Sequence, residues 1–156
     1  MHAHAAVPLG IAAAALDSAV DLARTKVPNF MQVALKDKEV VQGDLAKAPE
    51  LVESARCYLR QTMTDAVAAV EAGDFGVEHK ISLQLSANQA AGAAEEAMRL
   101  VHRTVGTTTV RDERGLGRRY RDLNTITQHT SIQFARWESV GKAMFGLDSD
   151  WFPFSL

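Results

Sequence analysis

Cysteine is nearly missing: Cys57 is the only one in 156 residues. No disulfide can close within the chain, and a reducing cytoplasm is the expected setting. Net charge is only −2, with acids and bases interspersed, which excludes the basic footprint of a nucleic-acid binder. The one local excess is the arginine group Arg111, Arg114, Arg118, Arg119 and Arg121. No apolar run approaches the roughly 20 residues needed to span a bilayer, so no membrane is expected. The opening MHAHAAVPLGIAAAAL is apolar but has no basic n-region, and it continues into an amphipathic pattern at Leu16, Val20 and Ala23. It reads as a helix rather than a signal peptide.

Metal and phosphate motifs are lacking too. A di-iron bundle needs Glu-x-x-His on two helices, and no such spacing occurs. Glu78 and His79 are adjacent and face apart, while Glu96 stands six residues before His102. No metal site is expected, and His2 and His4 read as part of an unstructured end. Gly115-Leu116-Gly117 has no strand-turn-helix setting for phosphate. Cys57 lies among apolar positions with nothing nearby to activate a thiolate, which implies a buried structural residue.

What is present is 47% hydrophobic and only 6% aromatic, rich in alanine, as suits closely packed helices. Four helical segments follow from the pattern. The first runs from about Pro8, a favourable first-turn proline, to about Ala23. Residues 24–35 form a connector around Pro28. The second runs from about Asp37 to Ala72 and stops at Gly73, with a kink or break expected near Ala48 because of Pro49. Its apolar stripe is Leu51, Ala55, Leu59, Met63, Ala66 and Val70. The third spans about Val77 to Val105, with Ile81, Leu85, Asn88, Ala91, Ala94/Glu95, Met98 and Val101 along one side. A glycine-bearing loop, 106–117, leads to a last helix from Leu116 or Asp122 to Phe145, closed by Gly146. Long helices and short loops without strand periodicity imply one domain over 1–156, an all-α up-and-down four-helix bundle.

On a continuous last helix, Leu123, Ile126, Thr130, Phe134, Trp137, Gly141 and Met144 form the core stripe. His129 then lies on a polar seam beside it, with Asp122, Thr125, Gln133 and Arg136. An imidazole at such a border can exchange a proton, or it can simply hydrogen-bond at the bundle edge. Arg118 and Arg121 can pair with Asp122, which can also serve as a cap. Trp137 and the tail residues 151–154 read as core and interface.

The stretch GTTTVRDERGLGRRYRDLNTITQHTS (106–131) resembles the C-terminal helical domain of the acyl-CoA dehydrogenase superfamily. Within it, the chain is most similar to the flavin-dependent monooxygenase branch of 4-hydroxyphenylacetate hydroxylase oxygenase and dibenzothiophene monooxygenase type. Gly106, Leu116, Arg118, Arg121, Asp122 and His129 stand in that branch's order and spacing. SARCYLRQ (54–61) and the Arg24 connector also resemble the family. Thr130 stands where acyl-CoA dehydrogenases carry their catalytic glutamate, and their Arg-x-x-Phe-Gly segment is replaced by ARTKVPNFMQ.

The resemblance implies that His129 is the catalytic residue. In this branch the matching histidine lies near the flavin, handling a substrate proton or stabilising the oxygenated flavin. It implies that Arg118 and Arg121 fix the loop–helix junction and reach a flavin phosphate. It implies FAD or FMN in the reduced state, a small aromatic-type substrate, O₂, and a homo-oligomer, dimer or tetramer. The family's N-terminal helical and middle β domains have no counterpart in these residues, so the flavin site is expected to be incomplete and the isolated chain inactive. The alternatives are a non-catalytic oligomerisation or partner-binding module, or part of an acyl-CoA dehydrogenase.

Overall fold

A computed structural model of the chain describes residues 2–111, 115–149 and 151–155. Arg114 of the arginine group lies outside the described residues, as does the side chain of Arg111. The helices are α1 (His2–Thr25), α2 (Glu39–Ala72), α3 (Val77–Val105), α4 (Leu116–Ile126), α5 (Ala135–Met144) and the short α6 (Phe152–Ser155), with no strand among the described residues. The all-α reading holds. The fourth helix of the expected bundle is divided in two, α4 and α5.

α3 is the axial element, packing against α1, α2, α4 and α5. Ala87, Ala90, Ala91, Ala93, Ala94 and Ala97 are buried along it. Small side chains on so many sides let neighbouring helices approach near the lower limit of about 8 Å. α1 answers with Ala5, Leu9, Ala12, Ala15 and Ala19, all buried at helical spacing in the same core. α1 is long and apolar enough to cross a membrane by length and composition, contrary to the expectation that no run comes near that length. Here one face of it, Ala5, Leu9, Ala12, Ala15 and Ala19, lines the bundle interior. It also begins at His2, so Pro8 is inside the helix instead of at its start.

α2 runs unbroken past Pro49 and ends at Gly73, whose φ of 72° supplies the left-handed cap. Its buried face is Val52, Ala55, Leu59, Thr62, Ala66 and Ala69. The expected stripe advanced mostly in steps of four, which drift about 40° per step from one face. Met63 and Val70 therefore emerge on the surface. Cys57 is exposed, which corrects its reading as a buried residue. It falls between the buried positions Ala55 and Leu59.

Polar ties fix the register of the long pair. Thr62 Oγ1 donates to Ser86 Oγ at 2.8 Å in the interior. Arg103 donates through Nε to Asp44 Oδ2 at 2.8 Å and through Nη2 to Asp44 Oδ1. The connector after α1 is pinned by Lys26, whose ammonium donates to Val105 O at 2.7 Å and to Thr108 Oγ1. A cation at the last carbonyls of α3 also suits the helix dipole.

The loop after α3 is partly regular, a 3₁₀ segment over Gly106–Arg111. Gly117 passes so close to it that a Cβ would stand 2.4 Å from Thr109 O. Gly117→Ala should lower stability by about 2 kcal/mol, because backbone must move. Gly92→Ala, where a Cβ meets nothing within 4 Å, should raise it by roughly 0.5–1 kcal/mol. Urea unfolding of the two variants checks the opposite signs.

Candidate functional site

The break between α4 and α5 makes the site. Residues 124–131 read NTITQHTS, rich in side chains that compete with the helix for its own backbone. Thr125 Oγ1 donates to Arg121 O at 2.9 Å, and Thr127 Oγ1 to Asn124 O at 3.3 Å. Beyond Ile126 the backbone changes to three-residue closures. Gln128 N donates to Thr125 O, His129 N to Ile126 O, and Ile132 N to His129 O. Such turns advance about 120° per residue instead of 100°, so the chain leaves the helical wheel assumed for it.

The expected core stripe is corrected accordingly. Leu123 is buried, but Phe134 is 79% exposed, Trp137 44% and Met144 67%. Thr127, Ser131, Ile132, Arg136, Ser139 and Val140 face inward instead. Arg136, expected on the polar seam with His129, is buried with its guanidinium carbon 4.2 Å from the centre of the Trp151 ring. Trp151 is buried in the tail, whereas Phe152 is exposed.

Irregular backbone inside a bundle must find partners, and one side chain of α3 supplies them. Gln84, fully buried, donates from Nε2 to Ser131 O and to Asn88 Oδ1, both at 2.9 Å. Its Oε1 accepts from Trp151 Nε1 at 2.9 Å. An indole N–H can only donate and a carbonyl can only accept, so both ends of this amide are assigned by their partners. α3, the turn and the tail meet at one residue that pattern reading overlooked. The available signal was Gln84 four residues before Asn88, a polar residue already standing on the apolar stripe of this helix.

His129 sits half-buried in the turn. Its Nδ1 accepts from Ser131 N at 3.2 Å. Its ring lies on that of His4, centroids 4.0 Å apart and planes 18° from parallel. His4 thus belongs to a helix and to this site, not to an unstructured end. Its Nδ1 is buried with no hydrogen-bond partner among the described residues. Burial, and then the charge of His129, hold the His4 pKa below the ordinary 6.5. On the other side of the turn lies a cleft of about 250 Å³ bordered by Asn88, Thr127, Ile132, Phe134 and Trp137. His129 does not line it.

The arginines singled out with His129 stand earlier in the chain on α4, Arg121 by roughly two helical turns and Arg118 by about three. Arg118 and Arg121 are exposed. Arg118 pairs with Asp122 at 3.5 Å across one turn. Asp122 is therefore a partner within α4 and not its cap, a place held by Gly115. Arg119 instead reaches α1, donating to Ser18 Oγ at 3.1 Å. Arg24 is in the last turn of α1, paired with Asp21 at 3.2 Å. Among the described residues no group of three or more His, Cys, Asp or Glu gathers to hold a metal ion.

Comparison with known proteins places this architecture. The acyl-CoA dehydrogenase C-terminal domain family matches residues 2–134. Indole-3-acetate monooxygenase of Pseudomonas putida is 33% identical over 141 residues, covering 90% of this chain and 36% of that protein. The Acinetobacter baumannii protein of the same name is 28% identical over 142 residues, with the same coverages. The chain therefore spans about a third of the length of these curated relatives. Among solved structures, XiaF from Streptomyces sp. in complex with FADH2 and glycerol superposes with a TM-score of 0.86 at 22% identity, over 96% of this chain and 39% of its own. The 3-HSA hydroxylase from Rhodococcus sp. RHA1 gives 0.80 at 20%, over 97% and 40%. At these identities the likeness shows the fold.

Two measurements follow from the geometry. Gln84→Leu strands Ser131 O, Asn88 Oδ1 and Trp151 Nε1 in the interior, and should cost about 2–4 kcal/mol in denaturant unfolding. For His4, the unfolded chain binds more protons than the folded one below the ordinary 6.5. Stability should thus fall as pH drops from about 7 through that value, until the depressed folded pKa is passed. His4→Phe should flatten this part of the stability–pH curve, measured as the urea midpoint at successive pH values.

Proposed function

Because the chain belongs to the acyl-CoA dehydrogenase C-terminal domain family, we propose that it forms one wall of the flavin site of a flavin-dependent monooxygenase, with His129 on that wall. The reading is supported chiefly by the histidine turn itself, a helix interruption held by buried hydrogen bonds that sets a half-buried imidazole at the bundle surface. The relatives named as indole-3-acetate monooxygenases and the fold shared with a protein solved with FADH2 support the same class. A small aromatic acid or a related heteroaromatic compound is the substrate class this suggests. Thr130, exposed in the turn, has no carboxylate with which to take a carbon-bound proton. That argues against acyl-CoA desaturation.

The residues present fit one face of a flavin and no more. His129 can offer a ring N–H to a polar edge, and the exposed guanidinium groups of Arg118 and Arg121 can meet a phosphate, FAD or FMN alike. Bound reduced flavin supplies the electrons that activate O₂. The chain's own part is to orient and hydrogen-bond through His129, to exclude water with the packed turn, and to present cations on α4. The opposite wall, the family's N-terminal helical and β domains, is supplied by protein outside these residues. A homo-oligomer is part of this reading.

A single wall holds flavin weakly. Anaerobic titration of reduced FAD or FMN into the purified chain should shift the ring NMR signals of His129 and His4 with millimolar-range affinity. His129→Ala should weaken binding about fivefold, the worth of one hydrogen bond of about 1 kcal/mol. Unchanged ring signals at millimolar flavin contradict the reading.

One surface favours the second reading, a module that associates without chemistry. Met63, Val67, Val70 and Phe75 line an apolar groove of about 420 Å³. In that case light scattering should show a dimer or larger species that Val67→Lys dissociates, with no response to flavin.

A further inference from the structure

We propose that His4 is a positioning residue for His129: its ring, laid face to face on that of His129, acts with the Ser131 amide to hold His129 in a single tautomer that presents Nε2–H as a hydrogen-bond donor. The inference deepens the proposed function, since it rests on His129 being the group that meets the flavin or its substrate.

Three observations carry it. The first is the hydrogen bond from Ser131 N to His129 Nδ1 at 3.2 Å. A backbone N–H can only donate, so Nδ1 must be the unprotonated nitrogen, and the proton of the neutral ring is on Nε2. Ser131 is itself tied to the core, because Gln84 donates to its carbonyl at 2.9 Å from α3.

The second is the stack. One hydrogen bond leaves an imidazole free to swing about its Cβ–Cγ bond, exchanging the two ring edges. A second ring at 4.0 Å and nearly parallel blocks that rotation, because a swinging ring would run into its neighbour. His4 is in turn fixed by α1, where Ala5 next to it and Leu9 are both in the core.

The third is the state of His4. Its Nδ1 is buried without a partner among the described residues. A protonated His4 would leave a buried donor unmet there. His4 is therefore a neutral plate, and its depressed pKa agrees with that geometry. Nε2 is then the remaining polar edge of the His129 ring. A neutral ring so wired donates a hydrogen bond to an oxygen that gains negative charge.

Long-range ¹H–¹⁵N NMR of the imidazole rings, recorded on the intact chain at pH 8, tests this without any cofactor. Wild type should show His129 as one tautomer, protonated at Nε2. His4→Ala should lose that signature to a mixture of tautomers with broadened ring signals. His4→Phe, which restores a flat ring without nitrogen, should recover it. A His129 protonated at Nδ1 in wild type, or an unchanged single tautomer in His4→Ala of native helix content, overturns the proposal. If His4→Ala fails to fold, wild type and His4→Phe still decide, and a mixed tautomer in His4→Phe then counts against it. The flavin reading has its own outcome: a correct tautomer with no flavin response leaves the positioning role standing and removes only the function assigned to it.

Discussion

The side-chain amide of Gln84 is the interaction on which the rest depends. A turn of irregular backbone runs through the helical bundle, and the polar groups that it does not satisfy itself have to be met by other elements. Gln84 meets one, Ser131 O, while Asn88 and Trp151 occupy its other positions. Because an indole N–H only donates and a carbonyl only accepts, the amide has one allowed orientation. Ser131 is then held from both sides, its carbonyl by Gln84 and its amide by His129. The core thus reaches the histidine ring through two hydrogen bonds, and the stack on His4 closes the arrangement from α1.

The alanine-rich packing serves the same end. Ala87, Ala90, Ala91 and Ala94 are buried on α3, and small side chains at these places let its neighbours pack close to it. Gln84, toward the N-terminal end of α3, is fully buried, and a dry amide enforces its hydrogen bonds strongly. In a wider bundle the same residue would have water to bond and would specify little. Lys26 at the end of α3 and Asp44 against Arg103 do comparable work at the periphery, fixing connector and register.

Much of this was legible in the sequence. The limits of α3 and the stop of α2 at Gly73 follow from hydrophobic period and turn chemistry, because both are local. The family pattern around Arg118, Arg121, Asp122 and His129 was legible as well, and it remains the ground for the functional proposal. The fourth helix was not. Its wheel assumed 100° per residue through NTITQHTS, where hydroxyl side chains divert backbone bonds into tighter turns. That one assumption misplaced Phe134, Trp137 and Met144 into the core and Arg136 onto the polar seam beside His129. The apolar neighbours of Cys57 alone suggest a buried residue, yet two residues from both Ala55 and Leu59 it stands about 200° round the helix from each and is exposed. The partnership of His4 with His129, and of Gln84 with Ser131 and Trp151, joins residues far apart in the chain. No local pattern encodes such contacts.

A turn held this firmly has a direct physical signature. Site-resolved hydrogen exchange of the whole chain at neutral pH reads the opening free energy of each amide. The account predicts that Ser131, Ile132 and Gln133, bonded to the ring and carbonyl of His129, exchange as slowly as the amides of central α3. It also predicts that Gln84→Leu speeds them while leaving the slow exchange of α3 near Ala94 in place. Rapid exchange of these three amides in the wild-type chain would contradict it, since a turn that opens freely cannot hold a histidine in position.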